Sequence, residues 1–259
     1  MIPNAASLGK VVWVTGGAGY LGSAIVGALD AAGVTTLCFD LPGRAEATIA
    51  DRRLNHTVAV SCDLSDLEAQ REIVGRMMDK YGVPDGVAHL TFASSSGKRV
   101  EELSTDDFSR TLTASLTPTF DLCRQVGARM AERGHGSVVL FSSMYGVVSP
   151  DPGIYLPPMT PNPIDYGTAK AGLLQMMRYL SVHFGASGVR FNCVTPGPFP
   201  NPGVQKAHPE FVDRLRGKTA LHRVGRNHEI VGPTLFLLSE GSSFVTGHSL
   251  AVDGGWTAW

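Results

Sequence analysis

The 259-residue chain contains no apolar run near the ~18 residues that suggest a membrane span. Its first ten residues, MIPNAASLGK, hold no apolar stretch long enough for a signal peptide, so a cytoplasmic location is expected. Charge of a single sign is also missing: 22 Lys and Arg stand against 23 Asp and Glu. Such a surface has no field to hold a phosphate backbone or an anionic bilayer, so neither nucleic acid nor membrane is an expected partner. Cys38, Cys62, Cys123 and Cys193 never stand at CxxC spacing, and three lie in or beside apolar, strand-like runs. That pattern predicts reduced core thiols rather than disulfides or zinc ligands. The eight histidines form no pair at ligand spacing with carboxylates nearby, and neither a Walker loop nor a Gly-x-Ser-x-Gly elbow occurs. Metal catalysis and acyl transfer are set aside on those grounds, and no metal site is expected. Internal repeats and charged or Ser-rich linkers are absent as well, so residues 1–259 are expected to form a single domain.

What is present is a hydrophobic fraction of 43%, enough to bury a sizeable core. Seven short apolar runs, VVWVT, TTLCF, TVAVS, GVAHL, SVVLF, VRFNCV and HSLAV, alternate with longer segments of helical periodicity. The alternation predicts an α/β architecture, a doubly wound, seven-stranded, mostly parallel sheet with helices on both faces. Pro150–Pro163 carries six prolines and Pro196–Pro209 five, so both are expected to be loops. Each follows a strand, and ligands of such sheets lie beyond the carboxyl ends of the strands.

The strand expected at Lys10–Val14 runs into Thr15-Gly16-Gly17-Ala18-Gly19-Tyr20-Leu21-Gly22, and Ser23–Ala32 reads as a helix. A glycine-rich strand-to-helix turn lets backbone approach a pyrophosphate and aims helix N-terminal N–H groups at its charge. The second strand, Thr35–Phe39, ends at Asp40, 24 residues beyond Gly16. An acidic side chain there accepts from the ribose hydroxyls of NAD and repels the 2′-phosphate of NADP, so NAD is the expected cofactor of this Rossmann fold. Arg44 follows in a Leu-Pro-Gly turn, where it either meets such a phosphate or is simply solvated. Further on, Tyr166 and Lys170 stand four apart at the start of an apolar-faced helix, after Ser142-Ser143 at a strand end. Residues four apart share a helix face, so the Lys170 ammonium is expected to lower the pKa of the Tyr166 phenol toward the working pH. Ser143 would then bind a substrate oxygen while Tyr166 exchanges its proton.

Together these motifs resemble the short-chain dehydrogenase/reductase family, in its compact subgroup of about 250 residues. Cys62-Asp63-Leu64, Asn192-Cys193-Val194-Thr195-Pro196-Gly197, Arg223-Val224-Gly225, Thr246-Gly247-His248 and Val252-Asp253-Gly254-Gly255 extend the resemblance over nearly the whole chain. It implies an NAD-dependent oxidoreductase interconverting a secondary alcohol and a ketone, with Ser143, Tyr166, Lys170 and Ser115 as the catalytic set. For the cofactor it implies Thr15, Gly16, Gly19, Tyr20, Leu21, Gly22 and Asp40 around the pyrophosphate and adenosine ribose. Asp63 and Leu64 would meet the adenine, Tyr166 and Lys170 the nicotinamide ribose, and Pro196 and Gly197 the carboxamide. Three departures stand out. Gly19-Tyr20 and His89-Leu90-Thr91-Phe92 are nearer the extended, sugar-nucleotide-modifying subgroup, and Ser115 replaces the asparagine that helps hold a water chain behind the lysine. His89 is read as a packing or loop-holding residue rather than a proton donor.

Two other readings use the same residues: an NAD-binding sensor without turnover, and an epimerase or dehydratase with a closed redox cycle. The intact Ser143, Tyr166 and Lys170 argue against the first, and the short C-terminal part against the second. Residues 144–165 form a proline-rich insertion of 22 residues between Ser143 and Tyr166, expected to wall the site, with Tyr145, Ile154, Tyr155 and Met159 as candidate lining. A sugar, polyol or cyclic alcohol is the first choice of substrate and a larger apolar secondary alcohol the second. The helices expected at about Thr113–Arg133 and Tyr166–Phe184 are too apolar for exposed faces, which predicts a homotetramer or homodimer.

Overall fold

All seven apolar runs become strands in the computed structural model, which describes residues 5–93 and 95–259. Met1–Asn4, at the head of the N-terminal stretch discussed above, lie outside the described residues. The chain begins with α1 (Ala5–Leu8), β1 (Val11–Thr15), α2 (Gly22–Ala31), β2 (Thr35–Asp40), α3 (Arg44–Arg52) and β3 (Thr57–Ser61). It continues with α4 (Leu67–Tyr81), β4 (Gly86–His89), α5 (Thr105–Arg133), β5 (Gly136–Phe141) and α6 (Ile164–Gly185). It closes with β6 (Val189–Pro196), α7 (Pro202–Ala207), α8 (Pro209–Lys218), α9 (Val231–Leu238) and β7 (Ser249–Val252).

The strands lie in the order β3-β2-β1-β4-β5-β6-β7, and every neighbouring pair is parallel. The expectation of a mostly parallel sheet holds in full, down to the edge strand β7. From β1 the chain builds outward through β2 and β3, then returns to β4 on the other side. That reversal opens a crevice at the carboxyl ends of β1 and β4, where Thr15 lies opposite His89.

Side-chain alternation along the strands divides the core between the two faces. Trp13, Leu37, Phe39, Leu140 and Phe191 pack in one buried cluster with Leu122 of α5 and Met177 of α6. Val12, Val14, Cys38, Val139 and Val194 pack in the other, with Ile25 and Leu29 of α2 and Leu235 of α9. The four cysteines are free and buried, as expected of reduced core thiols, Cys123 on α5 and the other three in or beside strands.

Helices α5, α7 and α8 differ from their sequence expectation. Helix α5 starts two turns earlier than Thr113, because Ser104 caps it: its hydroxyl accepts from Asp107 N, and Asp107 reaches back to Ser104 N. The second proline-rich segment is not all loop. Pro202 and Pro209 occupy the first positions of α7 and α8, where a missing N–H has no partner to lose.

Candidate active site

The glycine turn between β1 and α2 is built by close backbone approach. A Cβ on Gly22 would overlap the Gly16 carbonyl oxygen, so only glycine lets the helix start there. Gly16 has φ +67°, a conformation that favours glycine. Gly19 differs from both: a Cβ there would meet only the Gly16 carbonyl oxygen, at 3.1 Å. Its missing side chain therefore leaves open space beside a groove of about 490 Å³, lined by Gly16, Gly19, Asp40, Asp63, Leu64 and Ser115 among others. The buried Asp40 closes this turn, its carboxylate accepting from Ala18 N and Leu41 N, both at 2.9 Å. Arg44, largely exposed, sits 3.4 Å from the same carboxylate. The crevice at the switch point, open space at Gly19 and an acidic group at the end of β2 fit a nicotinamide dinucleotide.

The remaining expected cofactor residues are placed as follows. The Thr15 side chain is fully buried, its hydroxyl 2.7 Å from His89 Nδ1. Tyr20 and Leu21 lead into α2, and the Tyr20 carbonyl accepts from Ser23 Oγ at 3.5 Å. Pro196 ends β6, and Gly197 N donates to Val252 O at 3.0 Å, tying that segment to β7.

Ser143, Tyr166 and Lys170 come together although β5 and α6 lie 22 residues apart in sequence. Ser142 Oγ donates to the Lys170 carbonyl at 2.8 Å, so the first serine of the pair anchors α6 and the second faces Tyr166. Burial pushes the Tyr166 phenol up from its ordinary pKa, while a hydrogen bond from Ser143 pulls it down; the net direction is up. Lys170 is buried, and its Nζ donates to Phe141 O at 2.9 Å and lies 4.2 Å from the Phe92 ring centroid. Burial lowers its pKa to about 8. The expectation that Lys170 lowers the Tyr166 pKa is therefore corrected. The ammonium is turned toward a carbonyl and an aromatic face, and desolvation acts on both groups before either acts on the other.

His89 is a tie between elements. Thr119 Oγ1 donates to Ser115 O at 2.8 Å and lies 2.9 Å from His89 Nε2, so it accepts the Nε2 proton and Nδ1 is left to accept from Thr15. Burial first, and Lys170 second, lower the His89 pKa to about 3, which keeps this neutral form. Ser115 lines the groove, with its buried hydroxyl lacking a partner among the described residues. One turn on, Pro118 sits inside α5 and removes the N–H that would have met the Ala114 carbonyl.

The sequence reading assigned no role to three residues that build the site. Asp165, fully buried, joins three elements: one oxygen accepts from Ser96 N at 2.9 Å and from Thr111 Oγ1 at 2.7 Å. Burial raises its pKa, but the hydrogen bonds from Ser96, Thr111 and the Tyr166 backbone outweigh it and the net direction is down. Phe92 packs edge-on against Tyr166 at 5.1 Å besides facing Lys170. Arg214 donates to Gly153 O at 2.6 Å, and with the Lys218–Asp151 ion pair it fastens α8 to the proline-rich segment. Only Asp165 had a signal, an acidic residue in the first turn of a helix. Of the candidate lining residues, Tyr145 and Ile154 are buried with Met144, Leu215 and Trp256, whereas Tyr155 stays half-buried against Phe211.

The family model described as enoyl-(acyl carrier protein) reductase matches residues 17–257. A 2,5-dichloro-2,5-cyclohexadiene-1,4-diol dehydrogenase of Sphingobium indicum is 29% identical over 254 residues, covering 96% of this chain and 98% of its own. A D-threitol dehydrogenase of Mycolicibacterium smegmatis is 30% identical over 261 residues, with 96% and 93% covered. Among solved structures, a short chain dehydrogenase of Leptospira borgpetersenii with bound NAD+ superimposes with a TM-score of 0.85 at 28% identity, over 99% of this chain and 97% of that one.

Proposed function

Because this chain belongs to the short-chain dehydrogenase/reductase family and is an oxidoreductase of CH–OH groups, we propose that it uses NAD to interconvert a secondary alcohol and a ketone on a polyol, sugar or cyclic alcohol. The observation that carries the reading is the convergence of Ser143, Tyr166 and Lys170 beside a groove with Asp40 at its far end. Relatives named for a cyclic diol and for threitol support the substrate class.

When bound, the nicotinamide supplies the carbon that takes or gives the hydride. Ser143 donates to the substrate oxygen, and Tyr166 exchanges its proton with that oxygen. A phenol whose pKa lies above its ordinary value holds that proton at neutral pH, ready for a developing alkoxide. Lys170, anchored on Phe141 O and over the Phe92 ring, holds its ammonium toward the nicotinamide ribose. Asp40 accepts from the adenosine ribose and disfavours NADP. Asp63 and Leu64 meet the adenine, and Gly16, Gly19 and the start of α2 meet the pyrophosphate. Residues 1–259 act as a single domain, with residues 144–165 walling the site, in a cytoplasmic homotetramer or homodimer.

The test is a panel of polyols, sugars and cyclic alcohols with NAD, following the near-ultraviolet absorbance of the reduced nicotinamide. At least one should be oxidised, and Tyr166→Phe should lower kcat by about 10² or more, the scale of a positioned acid or base. No turnover with any alcohol or ketone, or a variant with full activity at every pH, would overturn the reading.

A further inference from the structure

Besides Tyr166, two more phenols converge on the candidate site, and their hydrogen bonds are ordered. Tyr145 follows Ser143 by two residues, and its backbone N–H donates to Ser143 Oγ at 3.2 Å. Its own hydroxyl lies 2.9 Å from the hydroxyl of Tyr155. Tyr145 is only 6% exposed and packs edge-on against Trp256. The buried Tyr145 hydroxyl has no other partner among the described residues, whereas the half-buried Tyr155 can give its proton outward, so the arrangement that leaves no buried proton unpaired has Tyr145 as donor. Tyr145 therefore donates and the Tyr155 oxygen accepts. A second donor, Asn162 Nδ2, reaches the same oxygen at 3.4 Å. Both lone-pair positions of Tyr155 are thus filled from the protein, and its O–H proton remains to be given.

The placement of that proton matters. Tyr155 packs against Phe211 of α8 with ring centroids 5.3 Å apart, and Arg214 of α8 holds the backbone of Gly153 two residues away. The ring is therefore fixed from the protein side. Tyr155 and Tyr166 pack against the same small cluster of Met144, Tyr145, Ile154, Leu215 and Trp256, which brings the two phenols to one side of the site.

We propose that Tyr155 is a specificity-determining residue whose hydroxyl donates to a second oxygen of the substrate, adjacent to the carbon that reacts at Tyr166, so that the enzyme selects vicinal diols and α-hydroxyketones over simple alcohols. The inference rests on the oxidoreductase reading above and narrows its substrate class. Tyr145 and Asn162 orient that hydroxyl by accepting nothing from it. A substrate lacking the second oxygen leaves the Tyr155 proton unpaired in a desolvated site, and the penalty falls on the simple alcohol.

The experiment compares cyclohexane-1,2-diol with cyclohexanol, under NAD, for the wild-type enzyme and for Tyr155→Phe, which keeps the ring against Phe211. The wild type should favour the diol in kcat/KM by about tenfold or more, the scale of one neutral hydrogen bond. In Tyr155→Phe the diol should lose about tenfold while cyclohexanol stays unchanged or improves, so that the preference disappears. A wild type that oxidises only the diol supports the proposal if Tyr155→Phe raises the KM for the diol more than it lowers kcat, and overturns it if kcat alone falls. If both substrates fall together, Tyr155 acts through Tyr166 and the proposal is wrong; if neither falls, it is wrong as well. A wild type inactive on every alcohol and ketone would instead remove the oxidoreductase reading itself, an outcome distinct from the other two.

Discussion

Among the described residues no carboxylate pairs with the buried Lys170, whose ammonium rests on one carbonyl and one aromatic face. A lysine whose folded pKa falls from 10.5 to about 8 destabilises the folded state whenever it is charged. Below pH 8 both states hold the proton and the full cost is present. Between about 8 and 10.5 the unfolded chain holds more protons, so this residue's contribution to stability rises with pH. Buried Cys38, Cys123 and Cys193, pushed up to about 12, act in the opposite sense above their ordinary value of 9.0. The clean quantity is accordingly the difference between wild type and Lys170→Met. Urea unfolding of the protein without cofactor should find the variant more stable at pH 7 by up to about 3 kcal/mol, with the gap closing toward pH 10. A variant less stable at pH 7 would mean that the carbonyl and ring contacts outweigh desolvation. Asp40 offers the second test at this scale. Its replacement by Ser should move the NAD/NADP preference in kcat/KM by about 10² or more, equivalent to about 3 kcal/mol. The ratio is the quantity to measure, because Asp40 also holds Ala18 N and its loss loosens the turn for both cofactors. An unchanged ratio would transfer the discrimination to Arg44.

At the scale of elements, the glycine turn separates packing from ligand space. Gly22→Ala forces a methyl into the Gly16 carbonyl and should lower the melting temperature of the protein without cofactor by several degrees. Gly19→Ala meets one backbone oxygen at 3.1 Å and should leave that temperature nearly unchanged. It should nevertheless weaken NAD binding tenfold or more, since its methyl enters the groove. Calorimetry of each variant with and without NAD distinguishes the two; equal thermal losses would refute the division. The turn was legible because it is local, one strand and one helix joined by six residues. The helix starts were less so: Ser104 and Asp107 form a reciprocal cap that apolar periodicity does not register. The Pro202 and Pro209 starts were hidden for a related reason, since proline reads as a breaker except at the first helical position.

Whole-molecule behaviour follows from what α5 and α6 leave uncovered. Phe120 of α5 is 48% exposed, and Tyr179 and Val182 of α6 are 69% and 83% exposed. The last two are three residues apart and share a helix face with the means to bury it against another copy. Light scattering at micromolar protein should give a dimer or tetramer, and Val182→Glu should shift the mass downward. A wild-type monomer would refute the assembly. No described helix is long and apolar enough to cross a membrane.

The sequence by itself determined the strand count, the glycine turn, the acidic residue at the end of β2 and the Tyr166–Lys170 spacing, because each is a local pattern or a fixed spacing within one element, and the family resemblance added Ser143 to that pair. Tertiary structure alone decided where the Lys170 ammonium points and which way the phenol's pKa moves. Those depend on Phe141, Phe92 and the depth of burial, contributed by segments far apart in the chain. It also decided that Asp165 joins Ser96 and Thr111, and that the Tyr145 and Tyr155 hydroxyls meet. No spacing rule encodes such contacts, since the desolvation and hydrogen bonding that fix them exist only once the loops have closed over the strand ends.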